Sequence, residues 1–197
     1  LRLGWKKSWL LASSLALCFL AAGSVAAQST GGAPTNELML AGLRPGRDTV
    51  VAAEKRFGPK YRDAQPQSGD IKEWVDSCSG RVLRLEVDDN GVIQSVTVSS
   101  LGPRNPDCSE KTTSNGLLSI EKLRTSRGLA LGQTKKRVVA LYGEPGSLVP
   151  TTFEDQEFEL LFYAFDWAGS DVPQVMEVTC ERGTGRIRKV TLAFPSL

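Results

Sequence analysis

The sequence predicts an α+β fold of two tandem repeats, each with short helices packed on a three- to four-stranded antiparallel sheet. Three observations predict it. Gly46 opens a short helix-like stretch that closes at Phe57-Gly58-Pro59, and Gly132 opens another that closes at Tyr142-Gly143-Glu144-Pro145. The openings are 86 positions apart and the aromatic-glycine closings 85 apart, so the second unit is nearly in register with the first. Each unit is followed by strand-rich chain, Ile71 to Val98 and then Phe158 to Phe194. A period this long is not that of a solenoid and suits two copies of one small α+β unit.

The elements follow in chain order. Arg2, Lys6 and Lys7 form a basic start, Trp9 to Val25 is apolar or small, and Val25-Ala26-Ala27 precedes the polar Gln28-Ser29-Thr30. That order predicts a signal peptide over residues 1–27 and an exported chain, periplasmic or secreted. The alternative is an uncleaved anchor, because residues 9–27 approach the roughly 20 apolar residues of a membrane span. A membrane partner is expected only in that case. Cys18 follows Leu17 rather than a small residue, which is a poor context for lipidation. Residues 28–39 read as a flexible mature N-terminus rich in Ser, Thr, Gly and Pro.

The first repeat is placed at 40–112. Asp48 or Thr49 can cap a helix through Phe57, with Val50, Ala53 and Phe57 on one face. Tyr61 to Asp70 reads as a polar loop, and strands are expected near Ile71–Cys78, Arg81–Asp88 and Val92–Ser99. Leu83, Leu85 and Val87 alternate with Arg84, Glu86 and Asp88, the pattern of a half-buried strand. Asp89-Asn90-Gly91 signals a tight hairpin. Residues 101–116 are poor in apolar side chains and mark the boundary. The second repeat, 113–197, has Thr134 as helix cap and Val138, Leu141 and Tyr142 on one face. Strands are expected at Glu157–Trp167, Gln174–Glu181 and Arg186–Phe194.

The motif from Thr125 through Gly128, Gly132 and Thr134 to Leu141-Tyr142-Gly143-Glu144-Pro145 resembles the G-x-x-x-G-x-[ST]-x-x-x-V-x-x-x-[YF]-G-x-P signature of SmpA/OmlA (BamE)-like domains. The first half is similar through Gly42-Leu43, Gly46, Val50 or Val51, Phe57-Gly58-Pro59, Trp74 and Asn90-Gly91. Tandem pairing of such units resembles the beta-lactamase-inhibitory-protein architecture. The resemblance implies helices on a small antiparallel sheet, and a non-catalytic protein-binding module of the cell envelope. Its motif residues are turns and caps, glycine for entry and exit and proline to stop a helix.

Composition excludes several chemistries. Three of the 24 Lys and Arg lie in the leader and all 22 Asp and Glu lie after it, leaving 21 against 22 and a net charge of −1. That balance argues against nucleic acid, which needs a clustered basic surface. There is no histidine, which removes the His-dependent triads and disfavours transition-metal sites. No cofactor is expected. Glu86, Asp88, Asn90 and Gly91 start like a calcium loop, but its twelfth position is Thr97 instead of the bidentate Glu. Export implies an oxidising setting, and of Cys78, Cys108 and Cys180 the alternation of Met176, Val178 and Cys180 places the last in a core. Cys78 and Cys108 are the favoured disulfide; a loop of that size stabilises by about 3 kcal/mol.

Two function classes follow. The first is an exported, non-enzymatic protein-binding module, in its sharpest form an inhibitor of an extracytoplasmic enzyme, taking a protein or envelope component as partner. Phe158 to Trp167 is apolar on both strand faces, so the second face meets the other repeat, a helix or a partner. Trp74, Tyr163, Phe165 and Trp167 are its contact candidates, as aromatic rings that combine large area with a polar tip or edge. The alternative is a small secreted hydrolase using carboxylates (Glu154, Asp155, Glu157, Glu159) or the Ser119/Lys122 pair, which has S-x-x-K spacing without S-D-N or K-T-G partners.

Overall fold

Thr49 is extended, and the first helix, α1, runs Val50–Phe57 after it. Gly58 ends it at a φ of 83° and donates its N–H to the Glu54 carbonyl. The second helix, α2, runs Lys135–Tyr142 after Thr134 and stops at Gly143, φ 81°, in the same way. Both threonines flank the helices as predicted, but neither makes a side-chain capping bond. Backbone pairing to a hairpin holds the helix entries instead. Gly46 donates to Ile93 and Val50 to Gly91; in the second half Gly132 donates to Ile187 and Lys135 to Gly185. Gly46 has little room for a side chain: φ is 75°, and a Cβ would lie 2.8 Å from the Phe194 ring.

This is a computed structural model that describes residues 36–64, 70–101, 118, 119, 121–153, 155–165 and 174–194. The predicted leader at 1–27, the predicted boundary at 112/113, Cys108, Glu154 and Trp167 lie outside them. The chain divides into units 1–30 and 31–197, and every described residue belongs to the second. No described helix is long and apolar enough to cross a membrane.

The strands are β1 (Arg62–Ala64), β2 (Asp70–Asp76), β3 (Arg81–Val87), β4 (Ile93–Ser100), β5 (Ser147–Phe153), β6 (Gln156–Phe165), β7 (Gln174–Glu181) and β8 (Ile187–Ala193). They form one eight-stranded antiparallel sheet in the order β1-β2-β3-β4-β8-β7-β6-β5. This corrects the expected fold class: the molecule is mainly β, one continuous sheet with two eight-residue helices, instead of two helix-on-sheet repeats. The physical reason is the seam. Strands β4 and β8 carry apolar side chains in matching phase, so Val98 pairs Val190 and Val96 pairs Leu192. A period-two pattern shows that a strand has an apolar face but not which strand lies beside it. Strands β1 and β5, absent from the sequence reading, form the two edges.

One face of the sheet is covered. In-register residues run across it as Trp74, Leu83, Val98, Val190, Val178 and Leu161, from β2 to β6. Phe57 and Ala53 of α1 and Val138 and Tyr142 of α2 join them in one buried cluster. Cys180 is part of that core and is a free thiol, as its strand parity predicts. Burial pushes its pKa up to about 11. The native thiol should therefore stay unmodified by a maleimide at pH 8 and react fully once the chain is unfolded; native labelling would show that the sheet opens locally. Cys78 is disulfide-bonded, and its predicted partner is outside the described residues.

Candidate functional site

Neither described helix covers the second face of the sheet, and its side chains differ between the strands from β2 to β7 and the β6–β5 edge. On the former strands it is charged and hydroxyl-bearing. Glu73 of β2 is held between Arg62, whose Nε donates to Oε2 at 2.7 Å, and Arg84 of β3, whose guanidinium is 3.7 Å from Oε1. Next across the sheet come Thr97 and Thr191, whose hydroxyls meet at 2.9 Å over the β4–β8 seam. These residues, with Ser95, Glu177 and Lys189, line a groove of about 550 Å³. The Arg84 Nε is shielded from solvent with no hydrogen-bond partner among the described residues.

On β6 and β5 the same face turns apolar. Phe162 of β6 follows Glu177 in register, and Phe158 and Leu160 share its side of the strand. All three are half-buried. Val149 and Phe153 of β5 extend this strip and are 47% and 66% exposed. Sequence reading missed β5 because Pro150 sits inside it, and proline is excluded from central strands but tolerated at an edge. The available signal was Leu148-Val149-Pro150-Thr151-Thr152-Phe153, β-formers around a single edge-compatible proline.

The predicted contact residues fall on the other side. Trp74 is 3% exposed, stacks obliquely with Phe57 and Tyr61, and donates its Nε1–H to the Gly58 carbonyl at 2.8 Å. Tyr163 and Phe165 are 1% exposed, pack on Tyr142, and the Tyr163 hydroxyl donates to the Gly143 carbonyl at 3.1 Å. All three rings are core, tied to the two helix exits, and offer no surface to a partner. Trp167 lies outside the described residues.

The hydrolase candidates do not converge. Ser119 starts a turn, its carbonyl accepting from Lys122 and Leu123. A backbone hydrogen bond and the Ser119 hydroxyl hold the exposed Glu121 carboxyl below its ordinary range. Glu159 pairs with Lys135 at 2.8 Å and Glu157 with Arg182 at 3.2 Å, on separate cations. Asp88 accepts from the N–H groups of Asn90 and Val92, which makes it a hairpin residue. Among the described residues no three His, Cys, Asp or Glu side chains are grouped to hold a metal.

A buried carboxylate escaped notice in the sequence. Glu37 is 0% exposed and accepts from Ser126 Oγ (2.6 Å), Tyr142 Oη (2.7 Å) and the N–H groups of Leu38 and Met39 (3.0 Å each). Because Tyr142 donates to Glu37, the Thr125 hydroxyl 2.7 Å away must donate to Tyr142, and Thr125 Oγ1 in turn accepts from Leu129 N–H. Burial first, then the Glu37 charge and hydrogen bond, raises the Tyr142 pKa well above the ordinary range, even though the Thr125 bond acts the other way. This network clasps the N-terminal segment to residues 125–142 around a carboxylate that is itself closed to solvent.

No family model matches the chain, and no curated protein does. Among solved structures it is similar to a DUF4309 family protein (YjgB) from Bacillus subtilis, at 12% identity and a TM-score of 0.45, over 81% of this chain and 88% of that one. It is also similar to a candidate beta-lactamase inhibitor protein from Streptococcus mutans, at 16% identity and a TM-score of 0.27, over 80% of this chain and 89% of that one.

Proposed function

We propose that this chain is an exported, non-enzymatic binding module that takes a folded protein on the uncovered face of its sheet. The observation that carries the reading is the apolar strip of Val149, Phe153, Phe158, Leu160 and Phe162 beside the charged groove of Glu73, Arg84 and Lys189. An apolar centre with a polar flank is the anatomy of a protein interface, and buried aromatic anchors carry most of the binding energy there. The finer version, inhibition of an extracytoplasmic enzyme, draws only on the tandem turn-and-cap pattern at 40–112 and 113–197.

The test uses the chain without its leader as bait in an envelope extract, next to a Val149→Asp/Phe153→Asp variant. Both side chains are exposed, so the variant should fold with an unchanged circular dichroism spectrum. Loss of one partner captured by wild type, by about tenfold or more, is the expected result. Equal capture by the two baits would place the contact elsewhere.

A further inference from the structure

We propose that β5 is a guarded edge, an apolar edge strand that Pro150 keeps from adding a strand of a second copy of this chain. The inference holds whether or not the uncovered face binds a partner. It begins with the direction of each backbone group. Arg182 N–H bonds the Glu157 carbonyl, and the register that pairs Phe158 with Glu181, continued by one residue, sets these two directly opposite. Hydrogen-bonded pairs alternate along an antiparallel ladder, so Glu159 and Leu161 also point their backbones at β7. Phe158, Leu160 and Phe162 then point at β5, in agreement with the Phe162 carbonyl accepting from Gly146.

Their partners Thr151, Val149 and Ser147 are therefore committed to β6. Leu148, Pro150 and Thr152 turn their backbones outward. Pro150 stands opposite Glu159, at a non-bonded position where its missing N–H costs the sheet nothing. The same parity aims its ring at any incoming strand. It removes the central one of three outward donors and fills the place of an incoming carbonyl. Without it, this edge would be seven exposed residues that include Leu148, Val149 and Phe153, a template for strand addition.

The experiment is sedimentation velocity over a concentration series on wild type, Pro150→Val and Pro150→Val/Leu148→Lys, with amide exchange resolved by NMR. In wild type the Leu148 and Thr152 amides should exchange at least about tenfold faster than those of Val149 and Thr151. Pro150→Val should self-associate at least about tenfold more tightly than wild type, protect the Leu148 and Thr152 amides as concentration rises, and lose both effects when Leu148→Lys is added. An unchanged oligomeric state in Pro150→Val, or wild-type Leu148 and Thr152 amides as protected as their neighbours, would overturn the proposal. Insoluble Pro150→Val counts in its favour only if Leu148→Lys restores solubility, and against it otherwise.

Discussion

Glu37→Ala should lower the free energy of unfolding by about 3 kcal/mol, one of the two largest effects expected from a single substitution. The carboxylate takes donors from the Ser126 and Tyr142 hydroxyls and from two backbone N–H groups, all at 3.0 Å or less. Removing it strands the buried Tyr142 hydroxyl and three part-buried donors, and an unsatisfied buried donor costs about 1–3 kcal/mol. The loss is not a plain sum, because the Thr125 and Tyr142 hydroxyls can rearrange to each other. Urea denaturation of Glu37→Ala, Tyr142→Phe and the double variant measures the coupling. The two changes should be strongly non-additive, since Tyr142→Phe removes a group that Glu37→Ala has already stranded. Additive losses would mean that the two groups act independently.

Trp74→Ala should cost about 4 kcal/mol, the upper part of the range for removing a buried aromatic. The indole fills the space between Phe57, Tyr61 and the Leu83 strand and supplies the bond to the Gly58 carbonyl. Its loss opens a cavity at the end of α1 and unpairs the helix exit. The assay is the same denaturation curve, read beside partner capture. A stable Trp74→Ala variant that lost only its partner would return this ring to the surface role expected from sequence.

Much of the fold was legible in the sequence for local reasons. Helix ends were written as Phe57-Gly58-Pro59 and Tyr142-Gly143-Glu144-Pro145, and both helices end there. Alternation located β3 and β8, and it placed Cys180 in the core. What was not legible depended on neighbours distant in sequence. Val96 and Val98 read equally well as an end of one sheet or the middle of a larger one, and only the pairing with Val190 and Leu192 makes it the middle. Strand β6 was recognised as apolar on both sides, but periodicity cannot say which side the helices cover. Tyr163 and Phe165 met α2, which left Phe158, Leu160 and Phe162 uncovered. Glu37 gave no signal at all, because its side-chain partners Ser126 and Tyr142 are 89 and 105 positions away.

The uncovered face exists only if the two halves form one sheet, and that is the claim to test most directly. Native-state hydrogen exchange on the amides of Val96, Val98, Val190 and Leu192 reads the seam itself. In register at β4–β8, all four should be among the slowest in the protein and open with the free energy of global unfolding. Fast exchange at these four with slow exchange in β3 and β7 would contradict it, because the seam would then be two solvent-facing edges.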